Sequence, residues 1–276
     1  MSQLSFARFF DQAREAAPVT PAKPVLPAVN AQPIPQRMMT IGEARRQFVS
    51  VFMDTARNLR RWEVFSDFIT LAASELDMAR IRTPENIGRS REICAKYSES
   101  DISKLHTLFC LMVCALEAKF HDFLGAIFME LELGDDRNGQ YFTPYYVQSL
   151  LARLLRPDVG ETIRREGFVT VSDPASGAAG MIIAYAEQLL EAGFNHSEHM
   201  FGSCIDIDPI AADMAFIQLS LLGIPAEVVT GNTLTMQLNR VCYTPVYYIN
   251  NFEKRLEDQR RIRAMREFIR SMSQAA

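Results

Sequence analysis

The chain has 276 residues, 48% hydrophobic and 22% charged, with a formal net charge of −4. That composition excludes wholesale disorder, collagen-like repeats and coiled coil, and the length suits one large domain or two small ones. The net charge gives no global attraction to nucleic acid, so any DNA contact would use local basic surface.

Residues 1–40 read as a disordered Pro-rich tail. Leu4, Phe6, Phe9 and Phe10 are followed by Pro18, Pro21, Pro24, Pro27, Pro33 and Pro35, a spacing that prevents helix and favours extended chain. Arg8, Asp11, Arg14 and Glu15 interrupt any signal-peptide core. From 41 to 133 apolar residues recur at three and four spacing, in Phe48, Val51, Phe52, Leu59 and Trp62 and then in Phe65, Phe68, Ile69 and Leu76. This stretch predicts a helical domain, broken at Thr83-Pro84, with a long helical stretch from about Asp101 to Leu133 capped by Ser100 or Asp101. Its most apolar run, Leu105 to Leu116, is too short for a bilayer and is closed by Glu117 and Lys119, so no membrane partner is expected. Five cysteines, an odd number, argue against a disulfide framework and for a cytoplasmic setting. Cys110 and Cys114, one turn apart, are expected to pack in the core rather than bind metal. His106 and His121 lack partners at metal or triad spacing and read as structural.

After Gly134 the pattern changes to alternating strands and helices. Strands are predicted at Phe168–Asp173, Met200–Ile207 and Ala226–Val229, with helices at Ala178–Ala192 and Pro209–Leu222. Two strand-helix-strand units imply a parallel sheet, whose ligands bind beyond the carboxyl ends of the strands. The turns after Asp173, Asp206 and Val229 should therefore share one rim. The first, Asp173-Pro174-Ala175-Ser176-Gly177-Ala178-Ala179-Gly180, uses small residues that let a ligand approach the backbone and the following helix N-terminus. It has neither the dinucleotide glycine spacing nor a Walker lysine, which disfavours NAD and nucleoside triphosphates. The second places Asp206 where an acidic side chain can accept ribose hydroxyls, while Asp208 before Pro209 reads as a helix cap. In the third, Gly231-Asn232-Thr233-Leu234, Asn232 offers an amide to an adenine edge. Upstream, Gly139-Gln140-Tyr141-Phe142-Thr143-Pro144 places Thr143 as the cap of a helix begun by Pro144.

These four elements, GQYFTP, DPASGAAG, Asp206 in GSCIDIDP, and GNTL, occur in an order that resembles the adenine-N6 DNA methyltransferases, in particular the modification subunits of type I restriction-modification systems and their phage-borne relatives. The resemblance covers about residues 120–235. It implies an N-terminal helical domain followed by a shortened Rossmann-like methyltransferase sheet over 134–250, with S-adenosylmethionine as cofactor. Gln140, Phe142 and Thr143 would hold its methionine end, and Asp173 with Ala175, Ser176, Gly177 and Gly180 would pass beneath it. Asp206 would take the ribose, Ile207 would flank the adenine and Asn232 would meet the adenine amino group. Ala179 stands where the family has glycine, and Asn232 where it has aspartate.

The family's (N/D)PP(Y/F/W) tetrapeptide, which holds the flipped adenine, has no counterpart, since the chain contains no Pro-Pro dipeptide. Asn251-Phe252 supplies an amide and a ring, against the plainer reading of an aromatic strand over Val241–Phe252 followed by a cap. Only 42 residues follow Leu234, whereas completing a seven-stranded sheet takes roughly 120. One strand and a charged C-terminal helix over 251–276 are expected there. That helix would either lie on phosphates or present a solvated face. The expected function is an S-adenosylmethionine-binding, adenine-specific DNA methyltransferase-like protein whose catalytic residues are not identified. A protein partner or a second copy would complete the substrate half. The alternative is a non-catalytic scaffold or decoy, as in phage or plasmid interference with restriction.

Overall fold

A computed structural model of the chain describes residues 39–133, 142–154 and 159–275. The predicted tail up to Met38 lies outside the described residues, as do Gly139, Gln140 and Tyr141.

The helical region opens with α1 (Ile41–Asp54), where Thr40 and Glu43 satisfy each other's backbone N–H in a capping box. Next come α2 (Arg61–Leu76) and α3 (Pro84–Cys94), the latter capped by Thr83 with Pro84 in its first turn. The single helical stretch expected from Asp101 to Leu133 is instead two helices, α4 (Glu99–Ala118) and α5 (Phe123–Glu130). Lys119 is extended, and Asp122 accepts the Gly125 N–H to cap the second helix. The apolar spacing runs on across the break, with Leu111, Met112, Ala115 and Leu116 buried before it and Phe123, Leu124, Ile127 and Phe128 after it. The cap of α4 is Ser98, not Ser100 or Asp101; its hydroxyl accepts the Asp101 N–H at 3.2 Å. Phe48 forms the centre of this region, with edge-on contacts to Phe68 and Phe123. Cys110 corrects the core expectation, since it is exposed and Cys114 only partly buried; the buried cysteines are Cys204 and Cys242.

Helices α6 (Tyr145–Leu154) and α7 (Val159–Glu166) lead to the sheet. Pro144 precedes α6 rather than beginning it, its carbonyl accepting from the N–H groups of Val147 and Gln148. Then follow β1 (Val169–Asp173), α8 (Gly180–Glu191), α9 (His196–His199), β2 (Met200–Asp206), α10 (Pro209–Leu221), β3 (Ala226–Asn232) and β4 (Gln237–Tyr243). Strand order is β1-β2-β3-β4, the first three parallel and β4 antiparallel to β3. The tail end differs from the expected strand plus helix: a short α11 (Pro245–Ile249) separates β4 from α12 (Phe252–Ala275).

Right-handed crossovers place α8 and α10 on the same face of the sheet. That face carries Val171, Gly202 and Ala226 in register, and a side chain at Gly202 would meet Ile182 of α8. On the other face Thr170 and Ser172 are exposed, and Ser203 donates to Glu227 at 2.8 Å. Among the described residues, Phe168, Phe201, Tyr247 and Phe252 cover one end of that face as a small separate cluster at the strands' amino ends. The main core is continuous from Phe48 through Phe128 to Ile182 and Phe216, so helical region and sheet share one interior.

The join is polar at one point. Gln218 of α10 is fully buried; its Oε1 accepts the Leu124 N–H at 2.9 Å, and its Nε2 donates to Asp122 Oδ1 at 2.9 Å and to the Ala178 carbonyl at 2.8 Å. Burial pushes the Asp122 carboxyl up to about 6, with Gln218 and the Gly125 N–H acting in the opposite direction. A carboxyl whose folded pKa is raised favours the fold while protonated and loses that contribution as pH rises from about 4 through 6, on the order of 3 kcal/mol here. Asp122→Asn keeps the Oδ1 acceptor and removes the titration. Its Tm relative to wild type should therefore improve between pH 4 and pH 7.5; a difference constant with pH would contradict the buried charge.

Candidate functional site

The rim at the carboxyl ends of β1, β2 and β3 is built from three turns bonded to one another. In the first, Asp173 accepts the Ala175 N–H through Oδ1 at 3.2 Å, and the Ala179 N–H closes on the Ser176 carbonyl at 2.8 Å. Two bonds fasten this turn to β2: the Ser176 N–H reaches the Ile205 carbonyl at 3.0 Å, and the Gly177 N–H reaches Asp206 Oδ2 at 2.8 Å. Asp206 Oδ1 accepts the Asp208 N–H at 2.9 Å, and Asp208 in turn caps α10 as the sequence predicts. From the third turn, Thr233 donates its hydroxyl to the Pro174 carbonyl at 2.7 Å. The rim is thus one hydrogen-bonded unit with Asp173 and Asp206 at its centre.

Two glycines are dictated by close approach. Gly177 has φ +53°, and a Cβ there would lie 2.8 Å from the Phe142 ring, which also packs edge-on against Phe128 at 5.0 Å. Gly180 begins α8 directly against the buried Gln148 amide, where a Cβ would fall 2.0 Å from Oε1. Ala179 takes a left-handed φ of +67° with its methyl fully buried. That backbone explains the preference for glycine at this position. No side chain caps α8, so its first-turn N–H groups have no capping side-chain acceptor.

The sequence-predicted residues Phe142, Asp173, Ala175, Ser176, Gly177, Gly180, Asp206, Ile207 and Asn232 converge on this rim. Thr143, exposed, follows the Phe142 that touches Gly177. Gln140 lies outside the described residues. Ile207 is 68% exposed at the rim's mouth. Asn232 Oδ1 already accepts the Leu234 and Thr235 N–H groups, at 2.9 and 3.2 Å, so it shapes its own turn. Burial first, and then the Asp206 charge, push the Asp173 carboxyl above its ordinary range, against the pull of the Ala175 N–H. Among the described residues neither Asp173 nor Asp206 has a basic ion-pair partner, so the rim is acidic. Gln148 and Gln218, which support the first turn from behind, were missed; a lone amide on an apolar helix face is their only trace in sequence.

Phe252 corrects one expectation. It is fully buried against Phe168 and Phe201 at the opposite end of the strands and cannot stack on a base at the rim.

A family model described as N-6 DNA methylase matches residues 128–265. No curated protein matches. A solved structure from Listeria monocytogenes, assigned as a class I S-adenosylmethionine-dependent methyltransferase, is similar at 19% identity with a TM-score of 0.35. That match covers 67% of this chain and 52% of the other, so the chain spans about half that protein's length.

Gly177→Ala should destabilise the protein by roughly 1–3 kcal/mol through its left-handed backbone and the Phe142 contact. Adding Phe142→Ala should cost less than the sum of the two single changes in denaturant midpoints. Strict additivity would show that the ring does not press on the turn.

Proposed function

The chain belongs to the N-6 DNA methylase family, and on that premise we propose that it binds S-adenosylmethionine across the rim of Asp173, Asp206 and the 174–180 turn. The observation that carries this reading is the pair of rim carboxylates with no basic partner among the described residues. A cationic ligand bearing two ribose hydroxyls matches that pair of acceptors. Each Asp206 oxygen accepts one backbone N–H and keeps a lone pair for a hydroxyl. Asp173 faces the positive charge, and Ile207 offers the exposed apolar surface an adenine ring needs. Asn232, its oxygen engaged, turns its amide N–H groups to the acceptor edge of adenine rather than to the amino group. Gln140, Phe142 and Thr143 hold the methionine end. When bound, this cofactor supplies a methyl group activated on a sulfonium.

The proposed substrate class is DNA adenine, in keeping with the family, and the proposed setting is a cytoplasmic modification system. No helix among the described residues is long and apolar enough to cross a membrane. No residue of this chain is assigned to the transfer step, so methylation would depend on a partner protein or a second copy that grips the flipped base. One observation favours a second reading, a non-catalytic scaffold or decoy of the kind that would interfere with restriction. Parallel strands covered on both faces are apolar on both, whereas here Thr170, Ser172, Ser203 and Glu227 make the second face polar.

Calorimetric titration should show S-adenosylmethionine binding that Asp206→Asn weakens at least about tenfold; a folded wild type that does not bind at millimolar ligand would sink the proposal. Asp173 must be ionised to face a cation, so affinity should fall as pH is lowered through its raised pKa. Asp173→Asn should bind weakly and lose that dependence. Labelled methyl transfer to mixed-sequence DNA separates the readings: transfer by the chain alone supports the enzyme, and ligand binding without transfer supports the scaffold.

A further inference from the structure

The turn between β3 and β4 carries its largest side chains in water. Leu234 is 96% exposed, Met236 68% and Leu238, just inside β4, 49%. Single exposed apolar residues are ordinary, but three at alternate positions of one short connection form an apolar tip. Its backbone is held at several points. Asn232 Oδ1 accepts the N–H groups of Leu234 and Thr235, and Thr233 donates its hydroxyl to the Pro174 carbonyl. Behind the tip β4 closes directly on β3, where a Cβ at Gly231 would lie 2.6 Å from the Gln237 carbonyl oxygen. Met236 takes a left-handed φ of +55°, a conformation that costs a side-chain-bearing residue free energy and gathers at ligand-gripping segments. The tip is therefore a fixed apolar projection.

Position and charge identify what covers it. β3 ends on the rim and β4 leaves from it, so the tip stands beside the turn after Asp173, to which Thr233 ties it. From Gly231 to Asn239 there is no charged side chain, and the first one after that is the cation Arg240. Thr235, Gln237 and Asn239, between and beyond the apolar residues, are exposed hydrogen-bonding groups. A projection free of carboxylates is open to a polyanion. An adenine that leaves a duplex for the rim opens a gap in the stack, and apolar side chains wedged between base steps fill such openings. We propose that the β3–β4 tip is a wedge that enters duplex DNA beside the target adenine, Leu234 and Met236 standing in for the departed base and Thr235 and Gln237 meeting the adjoining base edges. This rests on the reading of the chain as a DNA methylase with its cofactor at the rim, and adds the surface that opens the duplex. Leu234 and Met236 are positioning residues; the grip on the flipped base stays with a partner.

The test is fluorescence anisotropy of the full chain with a labelled mixed-sequence duplex, either fully paired or carrying one abasic site as a gap made in advance. Wild type should bind the abasic duplex at least about tenfold more tightly, because no base has to be unstacked. Leu234→Ser with Met236→Ser should abolish that preference and leave Tm near that of wild type, since both residues are exposed. Leu234→Met with Met236→Leu, which keeps the apolar volume, should retain it. Equal binding of the two duplexes by wild type, a preference that survives the serine variant, or no duplex binding at all would overturn the proposal. So would a dimer in sedimentation, or binding to uncharged lipid vesicles, that the serine variant abolishes. Calorimetry with S-adenosylmethionine on the same wild-type protein reads the cofactor site separately: binding there without a preference for the gap removes the wedge and leaves the rim standing.

Discussion

A single buried amide fastens the helical region to the turn on which the rim is built. Gln218 uses both donors and an acceptor at once, on Asp122, Ala178 and Leu124. Leaving any of these groups unpaired in the interior would cost about 1–3 kcal/mol. The Ala178 carbonyl is therefore fixed in place, and with it the left-handed residues Gly177 and Ala179 on either side. Phe142 presses on the same turn from the helical side, and Asp206 holds it from β2. The price is a carboxyl at Asp122 buried without a counter-charge, whose raised pKa records the desolvation.

The distribution of polarity over the sheet separates holding a cofactor from acting on a substrate. One face is sealed by α8 and α10 and continuous with the helical core, which gives the rim a rigid base. The other is polar along β1 and at Ser203–Glu227, and its aromatic cluster sits at the end remote from the rim. A parallel β1 with solvated Thr170 and Ser172 is an edge adapted to water. The chain's candidate chemistry is thus concentrated in the loops beyond the strands.

Much of this was legible in sequence because the cues are local. Asp and Gly residues closing β-branched runs marked the strand ends to within a residue or a few, and Asp208-Pro209 marked the start of α10. The motif order brought Phe142, Asp173, Gly177, Asp206 and Asn232 to one rim before any coordinates. What escaped was non-local. Asp122 and Gln218 are 96 residues apart, and nothing in either neighbourhood announces their pairing. The break between α4 and α5 was hidden because apolar spacing continued across it, and only the Asp122 cap reveals it. Phe252 seemed available to a base because sequence does not say which end of a sheet a returning helix will cover. Cys110 sits in an apolar run yet on its outer side, a distinction that helical phase resolves only when the packing partners are known.

The central claim is that the three bonded turns form a ligand site. Hydrogen exchange on the full chain, with and without millimolar S-adenosylmethionine, tests it most directly. The account predicts slowed exchange in segments covering 173–181, 205–209 and 230–235, with no change over 252–272. Protection confined to α12, or no protection anywhere, would contradict it.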